Sequence, residues 1–356
     1  MSRFLKPRLA RLKAYTPGEQ PRDKKYIKLN TNESPYPPSP EVVAAVRRAQ
    51  VEDLRLYSDP EGKALKEKLA GLYGLSPANV FIANGSDDIL SFAFMAFAGE
   101  GVGARFPDIT YSFYKVFADL HGVSYETIPL AEDFSVRPKD YFGSGDFTVI
   151  ANPNAPTGMA LTREQLRTVI ASNPDRVVLI DEAYADFGAE SVVPLIAEYP
   201  NLLVVMTYSK SRALAGARLG VALASPELIA DLELLKYSTN PYNVNRLTME
   251  IGCAAVDSDA YFRENCRKIM ETREETARTL EELGFRVLPS QANFLFITRE
   301  GMDGGAFYQA LKERGVLVRH FARPRIEGFV RVTVGAPEEM QVFLTVVREI
   351  YQEERM

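Results

Sequence analysis

Two stretches of this chain decide its class of fold: RVVLIDEAYADFG at residues 176–188 and LLVVMTYSKSRALAGARLG at residues 202–220. Each begins with a nearly continuous apolar run and then passes directly into polar residues. Strands with unbroken apolar runs are typical of parallel sheets that helices cover on both faces. We therefore predict an α/β fold in which both stretches contribute strands to one sheet.

Further strands are indicated by short β-branched runs that alternate with helical segments. In the first part of the chain these runs are NVFIA, GVGARF, FTVIAN and ARLGVALAS, which predict a mostly parallel sheet over roughly residues 75–225. The shorter runs GFRVLP, ANFLFIT, GVLVRH and FVRVTV follow a charged, helical region at residues 246–284. They predict a second, smaller α+β domain.

The chain is expected to divide into three parts. Residues 1–38 are predicted to form an extended arm. This segment includes most of LNTNESPYPPSP, whose four prolines exclude a helix. Residues 39–245 are predicted to form the large domain, and residues 246–356 the small one. Helices are predicted behind a Ser39 cap and before a stop at Gly74. We expect the arm to pack with the small domain and with a partner subunit.

Composition excludes several classes of protein. A net charge of -5 gives no support to nucleic-acid binding. The two cysteines and two histidines form no motif with metal-ligand spacing, so we expect no metal site and no disulfide framework. No stretch reaches the roughly 18 apolar residues of a membrane span. We expect a cytoplasmic protein that does not act at a membrane.

Reactive and anion-binding residues follow several of the predicted strands. Asp181 ends an apolar strand, where a carboxylate is costly unless a cation, such as a protonated ring nitrogen, awaits it. Lys210 and Arg218 follow the next strand, and NGSDD at residues 84–88 follows another. Taken singly, Lys210 fits a solvated charge, and Ser86 or Asp87 fits an ordinary N-cap. Together at one sheet edge they indicate a ligand site.

The motifs resemble those of a known family, the fold-type I, class II pyridoxal-phosphate aminotransferases, and among them the histidinol-phosphate enzymes. The resemblance covers nearly the whole chain in family order. It rests on LNTNESPYPPSP, LRLYSDPEG, NGSDD, DITYSFY, NPNAPTG, DEAY, SKSRALAGARLG, NPYNVN, QANF and FVRVTVG. It implies a large domain with a mostly parallel seven-stranded sheet, a small α+β domain, and pyridoxal 5'-phosphate as cofactor.

The resemblance also implies roles for individual residues. Lys210 becomes the Schiff-base lysine, Asp181 the acid partner of the pyridine nitrogen, Tyr184 a donor to the phenolic oxygen of the ring, and Tyr111 the residue stacked on the ring. A phosphate cradle is implied around Gly85, Ser86, Asp87, Ser209 and Arg218, because helix-end amides and a guanidinium suit a doubly charged group. Tyr57 is implied to reach this phosphate from the other subunit of a homodimer.

The chain departs from the family pattern at Ala155, where these enzymes commonly have an asparagine whose amide meets the ring oxygen. Asn154 is one candidate to approach the cofactor instead. Two alternatives stay open: Tyr184 holds the oxygen alone, or Asn154 shapes a turn before Pro156. A second departure is Ala213, where relatives more often have an aromatic residue or glycine.

The substrate implied by the resemblance is L-histidinol phosphate, a phosphorylated amino alcohol, with glutamate and 2-oxoglutarate as the second pair in histidine biosynthesis. Arg331 and Arg319 match family arginines that bind substrate anions, and two guanidinium groups suit a phosphate. Tyr15, Asn32, Asn243 and Asn293 are expected to line the same pocket. Ping-pong kinetics follow from such a mechanism.

Three other functions remain open on the sequence. An aminotransferase for aromatic amino acids and a threonine-phosphate decarboxylase of the same fold would keep every cofactor residue. A cofactor-binding regulatory protein would not need them. The presence of Lys210, Asp181 and Arg218 argues against that third alternative.

Overall fold

The computed structural model describes residues 2–7 and 9–353. Its strands are β1 Ile27–Lys28, β2 Val80–Asn84, β3 Ala104–Pro107, β4 Tyr125–Ile128, β5 Phe147–Ala151, β6 Val178–Asp181, β7 Leu202–Thr207, β8 Leu219–Ala224, β9 Arg286–Val287, β10 Phe294–Thr298, β11 Val316–Leu317, β12 Arg319–His320 and β13 Val330–Thr333. Its α-helices are α1 Pro40–Arg48, α2 Lys63–Tyr73, α3 Ser86–Phe97, α4 Phe113–His121, α5 Arg163–Ala171, α6 Pro226–Thr239, α7 Arg246–Asp257, α8 Asp259–Glu282, α9 Gly304–Glu313 and α10 Pro337–Glu353.

The central sheet has seven strands in the order β2-β8-β7-β6-β5-β3-β4. Strand β8 runs antiparallel to both of its neighbours, whereas the pairs from β7 through β4 are parallel. The predicted mostly parallel seven-stranded sheet is therefore confirmed. The register sets Ala151, Asp181 and Val205 side by side, so the carboxyl ends of β5, β6 and β7 lie level.

Both faces of this sheet are buried, as the unbroken apolar runs predict. Ile150, Ile180 and Val204 point into one core, which α2 and α5 help to close. Val149 and Leu179 point into the core on the opposite face, beneath α3 and α4. Because consecutive strand residues alternate between these cores, an apolar side chain is required at nearly every position.

Edge strand β4 is the part of the sheet that the apolar runs did not predict. Tyr125 and Glu126 are exposed, and of its four residues only Ile128 is buried. An edge strand that is open to solvent needs no continuous apolar run. Its sequence, YETI, therefore carries little of the signal that identified the other six strands.

A smaller antiparallel sheet follows, with the order β12-β13-β10-β9, and its apolar core includes side chains from α8, α9 and α10. The run GVLVRH is split, because β11 pairs in parallel with β1 of the N-terminal arm while β12 joins the four-stranded sheet. Leu29 of the arm lies in the small-sheet core. The extended arm thus packs on the C-terminal part of its own chain.

The predicted start of α1 and the predicted end of α2 are both found in the structure. The Ser39 side chain accepts a hydrogen bond from the amide of Val42 at the start of α1, and Gly74 ends α2 in the left-handed conformation. Helix α7 packs with the large-sheet core through Ile251, so the core does not change at residue 246. It changes along α8, from Phe262 in the large-sheet core to Leu280 in the small-sheet core.

Within residues 2–7 and 9–353, no helix has the length and apolar character that crossing a membrane would require.

Candidate active site

A cleft of about 910 Å³ lies at the carboxyl ends of β5, β6 and β7, between the central sheet, the N-terminal arm and the small sheet. Most of the residues predicted from the sequence line it. They are Tyr15, Asn32, Ser86, Asp87, Tyr111, Asp181, Tyr184, Ser209, Lys210, Arg218, Arg319 and Arg331. The parallel strands explain this convergence, because polar residues that follow each strand meet at one edge.

Lys210 lies on the loop that follows β7. Its Nζ donates a hydrogen bond to the carbonyl oxygen of Thr31 at 2.9 Å. Burial and, secondarily, the positive charge of Arg331 lower the pKa of Lys210 to about 8. A lysine with such a pKa is partly neutral near neutral pH, and only the neutral amine can attack a carbonyl or accept a proton.

Two polar contacts brace the loop that carries Lys210. The Ser211 hydroxyl donates to Asp186, and Arg212, which is buried, forms an ion pair with Asp259 at the start of α8. Ala213 has a φ of 56°, a left-handed conformation that glycine adopts more readily. Ala213 therefore occupies a backbone position to which glycine is better suited.

Asp181 is the last residue of β6 and is only 5% exposed. Its carboxylate accepts hydrogen bonds from the Tyr114 hydroxyl at 2.7 Å and from the amide of Ala183 at 3.2 Å. Neither donor brings a positive charge, and burial raises the pKa of Asp181 to about 6. The carboxylate would be stabilised by a cation in the cleft, which a protonated ring nitrogen supplies.

Tyr114 is a functional neighbour that the sequence reasoning missed. It is fully buried in the first turn of α4, donates to Asp181, and meets the Tyr111 ring edge-on with 5.7 Å between centroids. The signal that could have found it is the spacing of three residues after Tyr111, which brings two side chains to one side of a helical turn.

Tyr184 and Tyr111 are the aromatic residues of the cleft. Tyr184 packs edge-on against Phe294, and its hydroxyl oxygen accepts a hydrogen bond from Asn32 Nδ2 at 2.9 Å. Burial raises the pKa of Tyr184, so its hydroxyl stays protonated and can donate. The Tyr111 hydroxyl donates to Asp87 at 2.9 Å, which fixes the direction of its ring.

The predicted phosphate cradle is centred on Gly85, which has a φ of 85° and is the N-cap of α3. The alternative of an ordinary N-cap at Ser86 or Asp87 does not hold, because Gly85 is the N-cap and no side chain caps the helix. A glycine cap leaves the first-turn amides to a ligand. A Cβ at Gly85 would lie 2.5 Å from Nη2 of Arg218. The guanidinium thus packs directly on the turn that precedes the helix, where an anion is favoured.

The Ser209 hydroxyl and the Asp87 carboxylate lie beside this turn and are engaged in different hydrogen bonds. Ser209 accepts a hydrogen bond from the Thr207 hydroxyl at 3.0 Å, so its own proton remains to be donated to an anion. The Asp87 carboxylate accepts from Tyr111 and forms an ion pair with Arg218 at 3.3 Å. A contact between Asp87 and a phosphate would therefore come from its backbone amide.

Gly220 makes this close packing possible, and the sequence reasoning missed it. A Cβ on Gly220 would lie 2.3 Å from the carbonyl carbon of Gly85. The signal was available, because an isolated glycine inside a strand run often marks close approach of another backbone.

Arg319 and Arg331 are direct partners across the antiparallel pair β12-β13. The Arg319 guanidinium donates to the carbonyls of Thr16 at 2.9 Å and Pro17 at 3.2 Å, and Arg331 donates to the carbonyl of Asn30 at 3.1 Å. Like charges directly opposite each other are destabilising in a sheet. An anion between them would remove that cost, which makes the pair a candidate substrate-anion site.

The remaining predicted residues do not line the cleft. The Asn154 carboxamide is buried and is engaged by Ile109, Thr110 and Thr157, so its bonds fit the turn-shaping alternative rather than cofactor contact. The amide of Asn243 reaches Asp88 at 3.5 Å. Asn293 is fully buried behind the cleft, where it donates to the carbonyl of Asn32 at 3.0 Å.

Tyr57 also lies outside the cleft of its own chain. It is 77% exposed, and its ring stacks on Tyr242 with 4.3 Å between centroids.

The sheet, with its single antiparallel strand, and the lysine and aspartate at its carboxyl edge define the fold-type I class of pyridoxal-phosphate-dependent transferases. The chain belongs to the family of class I and II aminotransferases, whose model matches residues 24–347.

Within this family, the chain is similar to several histidinol-phosphate aminotransferases. Histidinol-phosphate aminotransferase of Brachyspira hyodysenteriae is 48% identical over 98% of this chain and 99% of its own length. The protein of the same name from a Marinomonas species is 50% identical over 98% of this chain and its full length. A solved structure of histidinol-phosphate aminotransferase from Sinorhizobium meliloti, in complex with pyridoxal-5'-phosphate, matches with a TM-score of 0.87 at 24% identity, over 98% of this chain and 99% of that one. The last similarity is one of fold.

Proposed function

We propose that this protein transfers an amino group between L-histidinol phosphate and 2-oxoglutarate, with pyridoxal 5'-phosphate as cofactor, in histidine biosynthesis. The observation that carries the substrate is the facing pair Arg319 and Arg331 at the mouth of the cleft. Support also comes from full-length relatives of that name at 48% and 50% identity.

The described residues fit the cofactor on three counts. Lys210 is a buried amine with a lowered pKa, Asp181 is a buried carboxylate without a charged donor among its hydrogen bonds, and Gly85 leaves a helix N-terminus beside Arg218. These groups suit an aldehyde, a ring nitrogen and a phosphate respectively. Tyr184 would donate to the phenolic oxygen, and Tyr111 would cover the ring.

Bound pyridoxal phosphate supplies an electron-accepting ring that stabilises the charge left when the substrate Cα loses its proton. The protein residues then have separate tasks. Lys210 Nζ would take the proton from the substrate Cα and deliver it to C4′ of the cofactor, which a pKa of about 8 permits near neutral pH. Asp181 keeps the ring nitrogen protonated. Arg319 and Arg331 orient the substrate by its anion, receiving the phosphate of the donor and a carboxylate of glutamate in turn.

A screen of amino donors with 2-oxoglutarate as acceptor tests this function, and Arg319→Ala sharpens it. We expect histidinol phosphate to give the highest kcat/KM in wild type. Removing Arg319 should lower that value by about 2–4 kcal/mol in transition-state free energy, because a charged partner of the phosphate is lost. Arg331→Ala should harm both half-reactions, since glutamate needs the same anion site.

Arg176→Ala is the matched control for Arg319→Ala. Arg176 also donates to two backbone carbonyls, those of Gly145 and Asp175, but it lies before β6 at the opposite end of the strands. Its kcat/KM should stay within a few-fold of wild type. If Arg319→Ala leaves histidinol phosphate turnover unchanged and aromatic donors are preferred, the aromatic aminotransferase is the better assignment. Release of carbon dioxide from threonine phosphate would favour the decarboxylase.

We further propose that the enzyme is a homodimer in which Tyr57 completes the active site of the partner subunit. Tyr57 is highly exposed and lies outside its own cleft, and the nearby side chains of Val51 and Leu54 are also exposed, at 69% and 59%. Such an apolar group is typical of an interface between subunits.

Mixing two impaired chains tests the shared site. A heterodimer of Tyr57→Phe and Lys210→Ala chains would hold both lesions in one site and neither in the other. Equal mixing and reassociation should therefore restore about a quarter of wild-type activity. Each variant taken alone through the same reassociation step is the control. An active monomer, or mixtures no more active than the separate variants, would contradict the proposal.

The predicted domain division is retained in modified form. We propose an arm at residues 1–38, a large domain that extends through α7, and a small domain that begins within α8. The support is the passage of α8 from one apolar core to the other.

We also propose a cytoplasmic location, since Cys253 and Cys266 are both free thiols, as a reducing compartment allows.

A further inference from the structure

We propose that Asn32 is a positioning residue that directs the hydroxyl proton of Tyr184 toward the cofactor, through a polar contact that Ala155 does not supply. The proposal rests on the proposed function, because it assumes that Tyr184 donates to the phenolic oxygen of pyridoxal phosphate. It assigns Asn32 a task other than substrate contact.

The backbone of Asn32 is held in an unusual conformation. Its φ is 56°, in the left-handed region, and the residue is 1% exposed. A non-glycine residue stays in this conformation only when its surroundings determine it. Here the amide of Asn32 donates to Thr333 Oγ1 at 2.9 Å, and its carbonyl accepts from Asn293 Nδ2 at 3.0 Å.

The same neighbours fix which way the Asn32 carboxamide points. Thr333 Oγ1 accepts the Asn32 backbone N–H, and its own proton is donated to Asn32 Oδ1 at 3.0 Å. This donated proton requires an acceptor, so the oxygen of the carboxamide lies on the Thr333 side. Nδ2 therefore lies toward Tyr184, 2.9 Å from its hydroxyl oxygen.

This arrangement decides the direction of the Tyr184 proton. Because Tyr184 accepts from Asn32, its proton cannot be donated back along that bond and remains to be donated to another acceptor. With an oxygen in place of Nδ2, Tyr184 would donate toward the arm instead. Asn32 thus prepares Tyr184 as a donor before the cofactor binds.

Position 155 cannot supply this polar contact. Ala155 lies in a small apolar cluster with Ala292, Phe294 and Tyr184. The amide comes instead from the N-terminal arm, whose next residue back, Thr31, accepts the hydrogen bond of Lys210. Two successive arm residues therefore contact the two side chains proposed to act on the cofactor.

Asn32→Asp tests the proposal, because it replaces the donor by an acceptor of the same shape. The readout is the pH at which the visible band of the bound cofactor changes. A donor on the phenolic oxygen weakens the hold of that oxygen on a nearby proton, so losing the donor should raise this pH. We expect a rise of about one unit in Tyr184→Phe and in Asn32→Asp, and a several-fold loss of affinity of the apoprotein for pyridoxal phosphate.

The double variant separates positioning from simple charge. If Asn32 acts through Tyr184, Asn32→Asp should add no further shift in the Tyr184→Phe background. The matched control is Asn201→Asp, another buried asparagine, whose amide donates to the carbonyls of Ile170, Asn173 and Arg176 away from the cleft. It should lose stability without moving the titration of the band.

The outcomes distinguish the two proposals. Two results would overturn the role of Asn32 alone: a shift in Tyr184→Phe but not in Asn32→Asp, or a further shift when Asn32→Asp is added to Tyr184→Phe that is as large as the shift in Asn32→Asp by itself. No shift in Tyr184→Phe overturns the role of Tyr184 in the proposed function as well. If Asn32→Asp does not fold, Asn32→Gly removes the amide while keeping the left-handed backbone, and an unchanged titration in that variant also overturns the proposal.

Discussion

Lys210→Ala is expected to lower kcat by roughly 10⁴-fold, the largest effect of any single substitution in this chain. In the proposed function this side chain is both the amine that attaches the cofactor and the base that moves the Cα proton. Its Nζ donates a hydrogen bond of 2.9 Å to the carbonyl oxygen of Thr31. The measurement is the single-turnover rate of amino transfer from histidinol phosphate. Borohydride reduction of wild type, followed by peptide mapping, should place the cofactor on Lys210.

Lys66→Ala is the control for this experiment. Lys66 of α2 is partly buried and paired with Glu233 of α6, and neither residue lines the cleft, so its loss should leave both turnover and the labelled peptide unchanged. Label recovered on a different lysine, or substantial turnover by Lys210→Ala, would remove Lys210 from its assigned role.

Asp181→Asn should lower kcat by about 10²-fold or more while the cofactor stays bound. The reason is that a neutral carboxamide no longer stabilises the protonated ring nitrogen, so the ring accepts charge from Cα less well. The hydrogen bonds around the site can adapt, since the Tyr114 hydroxyl can rotate to accept from an amide. The measurement is the rate of Cα deuterium exchange, which isolates proton removal from later steps.

Glu182→Gln is a matched control for Asp181→Asn, one residue along the chain. Glu182 is 4% exposed, its carboxylate accepts hydrogen bonds from Ser191 and the amide of Val192, and burial raises its pKa to about 7. The same loss of a buried carboxylate should therefore alter stability but leave kcat within a few-fold of wild type. Equal losses of kcat in both variants would show that general destabilisation, rather than the ring nitrogen, explains the effect.

Although Asp181→Asn should lower kcat, it should stabilise the protein when no cofactor is bound. Burial raises the pKa of Asp181 to about 6, which means that the folded protein holds this proton more tightly than the unfolded chain does. The contribution of the protonated carboxyl to the free energy of unfolding is fully present below the unfolded pKa near 4 and is lost as the pH rises through 6. At pH 8 the Asp181→Asn apoprotein should be more stable than wild type by about 1–3 kcal/mol in urea unfolding. With cofactor bound this advantage should disappear, because the wild-type carboxylate then pairs with a cation.

Much of this architecture could be predicted because its signals are local. The apolar runs that became β5, β6 and β7 are buried on both faces, which leaves an unmistakable pattern. Asp181 and Lys210 directly follow such runs, and parallel strands bring their carboxyl ends together. Edge strand β4 escaped prediction for the complementary reason, since solvent on one side removes the need for apolar residues.

Contacts between distant segments could not be predicted in this way. The spacing from Tyr111 marks Tyr114 as a neighbour of the site, but no local pattern identifies its partner Asp181, which lies 67 positions later. Gly220 and Gly85 need each other only because β8 passes over the turn before α3. Asn154 follows a strand like the residues of the site, yet its amide is consumed by the turn around it.

The sequence by itself therefore determined the class of fold, the edge of the sheet where the candidate site lies, and the lysine and aspartate that we propose act there. Each of these depends on short-range pattern and on the order of the strands. Only the tertiary structure decided the hydrogen bonds, the pKa values and the relative positions of those groups. The direction of the Tyr184 proton, the pKa of Lys210 and the facing of Arg319 and Arg331 depend on distances between the arm, the central sheet and the small sheet. Such distances follow from packing and hydrogen bonding between remote segments, which no local pattern encodes.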